Sequence, residues 1–110
     1  MDIKQKIINA TGIKFFIENN GREVARAYLY ILNNSHERPF GFMEDVFVEE
    51  NYRSQGWGGK LITELIKTAQ QNNCYKLVGT SRYGRPKVHN WYLNFGFKDW
   101  GKEFRMDFDS

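Results

Sequence analysis

A cluster of glycines stands where the sequence changes from an extended to a helical pattern. Glycine is a poor helix former, so its concentration at a helix start needs a separate reason. The unpaired N–H groups of a first helical turn and the positive end of the helix dipole bind phosphate, and glycine lets a diphosphate approach the backbone closely. The turn consists of Arg53, Ser54, Gln55, Gly56, Trp57, Gly58 and Gly59. It predicts a diphosphate site, to which the Arg53 guanidinium adds a charge-assisted contact.

Two other phosphate-binding loops fit this turn poorly. A P-loop requires glycine at position 54 and serine or threonine at position 61, where this chain has Ser54 and Leu61. A dinucleotide fingerprint requires a small residue at position 61, so Leu61 breaks that pattern as well. The structural alternative is a tight turn in which a glycine caps the helix and binds nothing.

A second set of residues follows further along the chain. Trp91 and Tyr92 form an aromatic pair, and Gly96 and Phe97 begin four residues after Tyr92. We assign Trp91, Phe95 and Phe97 to the core. The phenol of tyrosine has a pKa of about 10. Tyr92 is therefore neutral at pH 7 and has a proton to donate, although it is a weak acid.

Together these two patterns resemble the GCN5-related N-acetyltransferase (GNAT) family over residues 13–108. Arg53, Gly56 and Gly58 match the family's motif Arg/Gln-x-x-Gly-x-Gly/Ala, and the Tyr92 segment is similar to its C-terminal motif. The resemblance implies that the amides of residues 53–59 hold the diphosphate of acetyl-coenzyme A. It also implies that Tyr92 protonates the departing thiolate; the alternative is that Tyr92 only packs against the sheet or hydrogen-bonds the sulfur.

One position departs from the family pattern. Members of the family often carry asparagine seven residues before this tyrosine, where it touches the pantetheine arm, whereas this chain has Arg85. Either Asn90 substitutes for that asparagine, or Arg85 reaches a phosphate. His89 lies three residues before Tyr92, and it either assists proton transfer or is a half-exposed polar position on a helix.

Two adjacent carboxylates are candidates for the general base. An alkylammonium must lose a proton before it can attack a thioester, and Glu44 and Asp45 lie on the strand before the glycine turn. Strict alternation puts them on opposite faces. The resemblance favours Glu44 as the base, directly or through water, and leaves Asp45 to bind a cationic acceptor. The structural alternative is that these carboxylates pair with basic residues, namely Arg22, Arg26 or Arg105.

The same strand is expected to polarise the thioester carbonyl. The resemblance places the coenzyme alongside it, so backbone amides near Phe47 and Val48 would pair with the pantetheine arm and stabilise the developing oxyanion. No covalent enzyme intermediate is implied. Cys74 stands at a helix end without an obvious base, and we interpret it as structural.

The elements that position these residues follow from periodicity. Strands are predicted over residues 13–18, 24–32, 42–48 and 75–80, the first two joined by a turn at residues 19–21. Residues 33–41 are a loop. Helices are predicted over residues 57–73, with an apolar stripe, and from Pro86 to about Asn94. Residues 97–100 and 103–108 are predicted as a closing pair of strands.

The order β-β-β-α-β-α-β-β predicts a mixed α/β fold with a mostly antiparallel sheet, as one domain over residues 1–110. By comparison with the family, this is a short form without the usual helices between the first two strands. The acceptor cleft is then open, completed by a second subunit as in a homodimer, or suited to a bulky acceptor. The acceptor's identity does not follow from the sequence.

Composition narrows the classes of function. The net charge is +3 and the basic residues are scattered, which favours a solvated surface over a nucleic-acid site. The longest apolar runs are strand-length, such as residues 28–32, and the first ten residues lack a signal-peptide pattern, so we expect a cytoplasmic protein without a membrane partner. His36, His89 and Cys74 are too few for a zinc site, so no metal is predicted.

These observations predict an acetyl-CoA-dependent N-acetyltransferase acting on a primary amine by direct attack. The alternative is a non-catalytic acyl-CoA-binding module that regulates a partner, which would keep the glycine turn and make no use of Glu44 or Tyr92. A small nucleic-acid-binding domain is the remaining alternative, and the sequence carries no motif for it.

Overall fold

The computed structural model describes residues 1–34 and 38–109. Four strands and two main helices form a mixed α/β fold, which confirms the predicted class. The elements are β1 (Thr11–Asn19), β2 (Arg22–Leu32), β3 (Phe40–Val48), a 3-10 turn (Glu50–Tyr52), α1 (Trp57–Gln71), β4 (Leu77–Gly79) and α2 (Pro86–Asn94). The chain groups into two compact units, residues 1–79 and 80–110. That residues 1–110 form one domain stays a prediction.

The first unit contains a four-stranded sheet in the order β1-β2-β3-β4. The first three strands are antiparallel and β4 runs parallel to β3, as a strand–helix–strand crossover produces. Asn20 and Gly21, with φ of 55° and 76°, connect β1 to β2 in a two-residue turn, so no helix lies between these strands. The hairpin prediction is confirmed.

Helix α1 covers one face of this sheet. Its stripe Leu61, Ile62, Leu65 and Ala69 is buried, as its spacing predicts, and Ile66 at the edge of the stripe is half-buried. The buried residues that it joins on the strands are Val24, Ala25, Ala27, Leu29 and Met43. Tyr28 and Tyr30, which alternate with Ala27 and Leu29 along β2, lie on the opposite face.

Both helices end in the same hydrogen-bonded motif. At the end of α1, Asn73 adopts φ of 61°, Asn73 N–H donates to Gln70 O and Cys74 N–H donates to Ala69 O. At the end of α2, Gly96 adopts φ of 101°, and the amides of Gly96 and Phe97 donate to Leu93 and Tyr92. The predicted stop signals are therefore confirmed. Helix α1 itself ends at Gln71, two residues before the predicted end.

Three predictions about strands need correction. The first concerns β3, whose regular alternation is broken by a β-bulge. Tyr28 pairs with Glu44, and Arg26 pairs with Phe47. Two residues of β3, Asp45 and Val46, therefore lie opposite the single residue Ala27 of β2. Glu44 and Phe47 therefore lie on the same face of the sheet, whereas strict alternation predicted opposite faces. The predicted loop 33–41 is also too long, because β3 begins at Phe40; residues 35–37 of that loop, including His36, lie outside the described residues.

The predicted closing strands, residues 97–100 and 103–108, do not form. Residues 97–109 contain no helix or strand in the structure, and no backbone hydrogen bond from residues 98–109 to another strand is present in this described stretch. Alternating side chains alone do not make a strand, because an extended segment is stable only when its backbone groups are paired.

Candidate functional site

The glycine turn lies between the end of β3 and the start of α1, as predicted. The Arg53 side chain folds back over this junction: its Nε–H donates to the carbonyl oxygen of Val48 at 2.8 Å, and its guanidinium lies 5.8 Å from the centre of the Phe47 ring. Tyr52 and Trp57 stack across the turn with ring centres 5.2 Å apart. These contacts fix the path of the chain on both sides of the glycines.

The backbone of the turn is shaped to leave its amides open. Ser54 and Gly56 both have positive φ, at 67° and 80°, and Gly56 is the N-cap of α1 without any side-chain cap. The Lys60 amide donates to the Gly56 carbonyl at 3.1 Å as the first bond of the helix. Among the described residues, no acceptor takes a hydrogen bond from the amides of residues 54–59. Six N–H groups at a positive helix end form a suitable cradle for a diphosphate.

An open strand edge leads up to this turn. Strand β4 pairs with β3 only from Gly41 to Met43, so the edge of β3 that faces β4 has no strand partner in the described chain from Glu44 onward. Phe47 and Val48 lie on this stretch and pair with Arg26 and Ala25 of β2 on the other side. An extended ligand arm can hydrogen-bond to such an edge as an added strand would.

The two candidate carboxylates have different environments. Asp45 sits in the bulge with φ of 48°, a left-handed conformation that aspartate tolerates better than most residues. Its carboxylate accepts from Arg26 Nε at 2.8 Å and from Arg26 Nη2 at 3.2 Å, and this bond raises the pKa of Arg26. Glu44 is exposed and makes no ion pair or side-chain hydrogen bond among the described residues. Glu44 is thus the carboxylate left available for proton transfer.

The alternative that a carboxylate only pairs with a basic residue therefore holds for Asp45 and not for Glu44. The other two arginines considered as partners are also engaged, Arg22 with Glu49 and Arg105 with Asp107. Arg26 additionally lies over the Phe47 ring at 4.8 Å. The sequence named Arg26 as a possible partner of either carboxylate, and the bulge, which the sequence did not predict, accompanies its pairing with Asp45.

In the second unit, Tyr92 lies on α2 and is half-buried. Its ring is held between Trp91, at 5.8 Å between centres, and Phe97, at 5.6 Å. The Phe97 contact belongs to the hydrogen-bonded end of the helix, in which the Phe97 amide donates to the Tyr92 carbonyl. The residues that end the helix thereby also fix the orientation of the tyrosine ring.

The other predicted residues of this unit are less engaged. Arg85 is the N-cap of α2 and is exposed, and Asn90 is exposed on the helix. His89 Nε2 lies 2.7 Å from the carbonyl oxygen of Arg82, so Nε2 carries the hydrogen and ties α2 to the preceding loop. This contact favours the structural interpretation of His89. Burial raises the pKa of the Cys74 thiol, which keeps it protonated and agrees with a structural role.

The structure thus gathers most candidates in the first unit: Glu44, Phe47, Val48 and residues 53–59. The second unit contains Tyr92, Arg85 and Asn90.

No cluster of residues capable of holding a metal ion occurs in the described ranges. No helix within residues 1–34 and 38–109 has the length and apolar character needed to span a bilayer.

Known proteins share the sequence pattern and the fold of this chain. The model of the acetyltransferase (GNAT) family matches residues 2–97. The chain is 29% identical over 77 residues to the aminoglycoside N(6')-acetyltransferase type 1 of Serratia marcescens, covering 70% of this chain and 52% of that protein. It is 33% identical over 70 residues to the glucosamine 6-phosphate N-acetyltransferase of Trypanosoma brucei brucei, covering 64% and 46%.

A solved structure shows the same architecture. The crystal structure of an acetyltransferase from Trypanosoma brucei superimposes with a TM-score of 0.77 and is 30% identical, covering 89% of this chain and 68% of that one. This chain spans about half the length of the curated relatives described above.

Proposed function

Since this chain belongs to the GNAT acetyltransferase family, we propose that it binds acetyl-coenzyme A and transfers the acetyl group to a primary amine. The observation that carries this proposal is the set of open amides at residues 54–59, at the positive end of α1. They supply the hydrogen-bond donors that a diphosphate requires. Arg53 is held against Val48 beside them, which places its positive charge next to the same site.

The open edge of β3 gives the proposed ligand its direction. With the diphosphate at residues 54–59, the pantetheine arm runs along β3 from Val48 toward Glu44. Main-chain amides near Phe47 and Val48 then donate to the arm and to the thioester carbonyl oxygen. These donors stabilise the negative charge that develops on that oxygen during attack.

In the proposed reaction the amine attacks the thioester carbon directly. Glu44 accepts one proton from the acceptor ammonium, either directly or through a water molecule. A carbon–nitrogen bond forms, the carbon–sulfur bond breaks, and Tyr92 donates its hydroxyl proton to the departing sulfur. The second proton that the nitrogen loses as the amide forms goes to solvent water. The Tyr92 phenolate regains a proton from water and Glu44 releases its proton to water, so that the products are the amide, the coenzyme A thiol and one proton. No residue of the enzyme carries the acetyl group, and the protonated Cys74 thiol is not suited to do so. Arg85 and Asn90 remain candidates for contacts with the coenzyme.

The acceptor is proposed only by chemical class, as a primary amine. The names of the similar proteins direct the first trials to amino sugars, including aminoglycosides and glucosamine phosphate. Polyamines and peptide amines complete the panel, because the exposed Glu44 would accept a proton from any of them.

The test is release of free thiol from acetyl-CoA in the presence of this amine panel, together with calorimetric titration of coenzyme A. We expect coenzyme binding and turnover with at least one amine. Binding without any turnover supports the alternative of a regulatory acyl-CoA-binding module. Absence of binding rejects both functions.

A further inference from the structure

The face of the sheet opposite α1 carries a group of aromatic side chains. Strand pairing and burial place five rings on this face, namely Phe16, Tyr28, Tyr30, Phe42 and Phe47. Phe16, Tyr30 and Phe47 are 51%, 39% and 38% exposed. Single exposed rings are common on protein surfaces, but a group of rings that shares one face indicates a surface that binds a ligand.

Glu44 lies among these rings, and the basic residues next to it are paired with other carboxylates. Lys14 forms an ion pair with Glu23, and Arg26 forms one with Asp45. Glu44 has no ion pair in the described chain. This part of the face therefore presents one negative charge that is available to a cation from outside the chain.

The rings closest to Glu44 in the strand pairing are also available. Phe42 lies two residues before Glu44 on β3, and Tyr30 is the partner of Phe42 on β2. In the described chain no basic side chain lies over either ring. Phe16 and Phe47, by contrast, are covered by basic groups whose charges lie 5.4 and 4.8 Å from the ring centres.

The two tyrosine rings lean away from Glu44. A Cβ atom at Gly12 would lie 3.1 Å from Tyr30 Cε1, so the Tyr30 ring extends over this glycine. The Tyr28 ring is nearly parallel to it, with 6.3 Å between the centres, and Lys14 Nζ lies 5.8 Å from the centre of the Tyr28 ring. Since Gly12 and Lys14 both belong to β1, the two rings lean toward β1 and leave the space above β3 open.

We propose that this face selects the acceptor of the reaction, a monoamine with a flat apolar body. The body packs on Tyr30 and Phe42, and the single ammonium group meets the Glu44 carboxylate. Alternate residues of a strand lie about 6.5–7 Å apart, which suits a ring joined to its ammonium by a linker of about two carbon atoms. An arylalkylamine such as phenethylamine has this form. The inference rests on the proposed function, in which Glu44 accepts the ammonium proton.

A second ammonium group would lack a carboxylate on this part of the face. The cations that the face already holds over rings each have a carboxylate partner as well, because a charge that leaves water needs one. Glu18 also has no ion pair in the described chain, but it lies four residues beyond Lys14 along β1 and two strands from Glu44. That separation is out of reach for diaminohexane. The hydroxyl groups of an amino sugar would exchange water for aromatic surface.

The first test compares four amines in the assay of thiol release from acetyl-CoA. We expect kcat/KM for phenethylamine to exceed that for diaminohexane and for glucosamine by at least about tenfold. Hexylamine is the matched control for charge, and it is expected to react better than diaminohexane, which has the same length and a second ammonium group. A kcat/KM for diaminohexane or glucosamine equal to or above that for phenethylamine overturns the proposal.

Variants on the face test where the acceptor lies. Tyr30→Leu is expected to raise KM for phenethylamine about tenfold, with kcat and coenzyme A affinity within about twofold of the wild type. Tyr30→Phe keeps the ring and is expected to keep the wild-type KM. Phe16→Leu is the matched control, because this ring lies on the same face beneath Lys14 and away from Glu44. An unchanged KM in Tyr30→Leu, or an equal rise in Phe16→Leu, contradicts the proposal.

Direct binding separates this inference from the proposed function. Phenethylamine and diaminohexane are titrated calorimetrically into the wild-type protein with and without coenzyme A, which has no acetyl group to transfer. Tighter binding of phenethylamine that is weakened in Tyr30→Leu supports the aromatic face, and if no amine is acetylated in the same preparation, only the proposed function fails. Absence of phenethylamine binding, or binding that Tyr30→Leu leaves unchanged, overturns the inference even when another amine is acetylated.

Discussion

Arg26 donates two hydrogen bonds to the Asp45 carboxylate, from Nε to Oδ2 at 2.8 Å and from Nη2 to Oδ1 at 3.2 Å. This contact lies where the pairing of β2 with β3 shifts by one residue. The bulge turns the Asp45 carboxylate toward the guanidinium and leaves its neighbour Glu44 without an ionic partner in the described chain. One irregularity of the strand thereby gives two adjacent carboxylates different environments.

The first prediction separates these two carboxylates. Glu44→Gln removes the proton acceptor, so turnover of acetyl-CoA with a saturating amine is expected to fall about 10²-fold, while coenzyme affinity is unchanged. The measurement is initial rate of thiol release alongside calorimetric titration of coenzyme A.

Asp45→Asn is the matched control. Asparagine also tolerates the left-handed conformation at this position, so the bulge is kept. Loss of a partly exposed ion pair costs about 1 kcal/mol of unfolding free energy or less, and turnover is expected to stay near that of the wild type. Slow turnover of Asp45→Asn together with normal turnover of Glu44→Gln would reverse our assignment of the base.

The second prediction concerns the proton that goes to sulfur. Tyr92→Phe keeps the ring between Trp91 and Phe97 and removes only the hydroxyl group. Coenzyme A is expected to bind within twofold of the wild-type affinity, while turnover falls about 10²-fold. Tyr83→Phe is the control, because Tyr83 is 80% exposed. Turnover of Tyr92→Phe equal to the wild type across the usable pH range would remove the acid role.

The third prediction tests the diphosphate site. Gly58→Asp puts a carboxylate in the first turn of α1, where it repels a diphosphate but interacts favourably with the helix dipole. We therefore expect coenzyme affinity to fall by at least about 10²-fold, with little change in melting temperature.

Gln70→Glu adds the same charge near the opposite end of α1 and serves as the control. It is expected to leave coenzyme affinity unchanged. If Gly58→Asp binds coenzyme A as tightly as Gln70→Glu, the diphosphate does not lie at this turn.

The fourth prediction compares two glycines in the parallel pair β3–β4. A Cβ atom at Gly41 would lie 2.9 Å from Leu77 Cδ1 and 3.0 Å from Leu29 Cδ1, and Leu29 is fully buried. A Cβ atom at Gly79 would meet only Met43, whose flexible end lies at 2.9 Å. Gly41→Ala is expected to lower the free energy of unfolding by about 1–3 kcal/mol, and Gly79→Ala by less.

Urea unfolding of both variants, followed by circular dichroism, measures the difference. Equal midpoints for the two variants, or a larger loss for Gly79→Ala, would show that the contacts around Gly41 are not as tight as described.

Sequence reasoning was most accurate where local chemistry decides the structure. Pro86 at the start of α2 and Gly96 after its end set the bounds of that helix, and both are recognisable without tertiary information. The glycines after Arg53 likewise marked the start of α1. The family resemblance is confirmed, and the roles of Glu44, Tyr92 and the turn amides stay predictions.

It was least accurate where a neighbouring strand decides the structure. The bulge at Asp45 depends on how β3 aligns with β2, and the sequence of β3 alone reads as regular alternation. Residues 103–108 also alternate, yet the structure gives them no strand, since alternation says which side chains share a face and not whether a partner exists.

The uncapped beginning of α1 has a practical consequence. Six N–H groups at this helix start have no acceptor among the described residues, so an anion bound there would supply their missing hydrogen bonds. Coenzyme A at 100 times its dissociation constant adds about 2.7 kcal/mol to the stability of a chain that binds it only when folded. Under the proposed function, preparations that retain the coenzyme through lysis and chromatography are expected to resist heat and proteases better than dialysed ones.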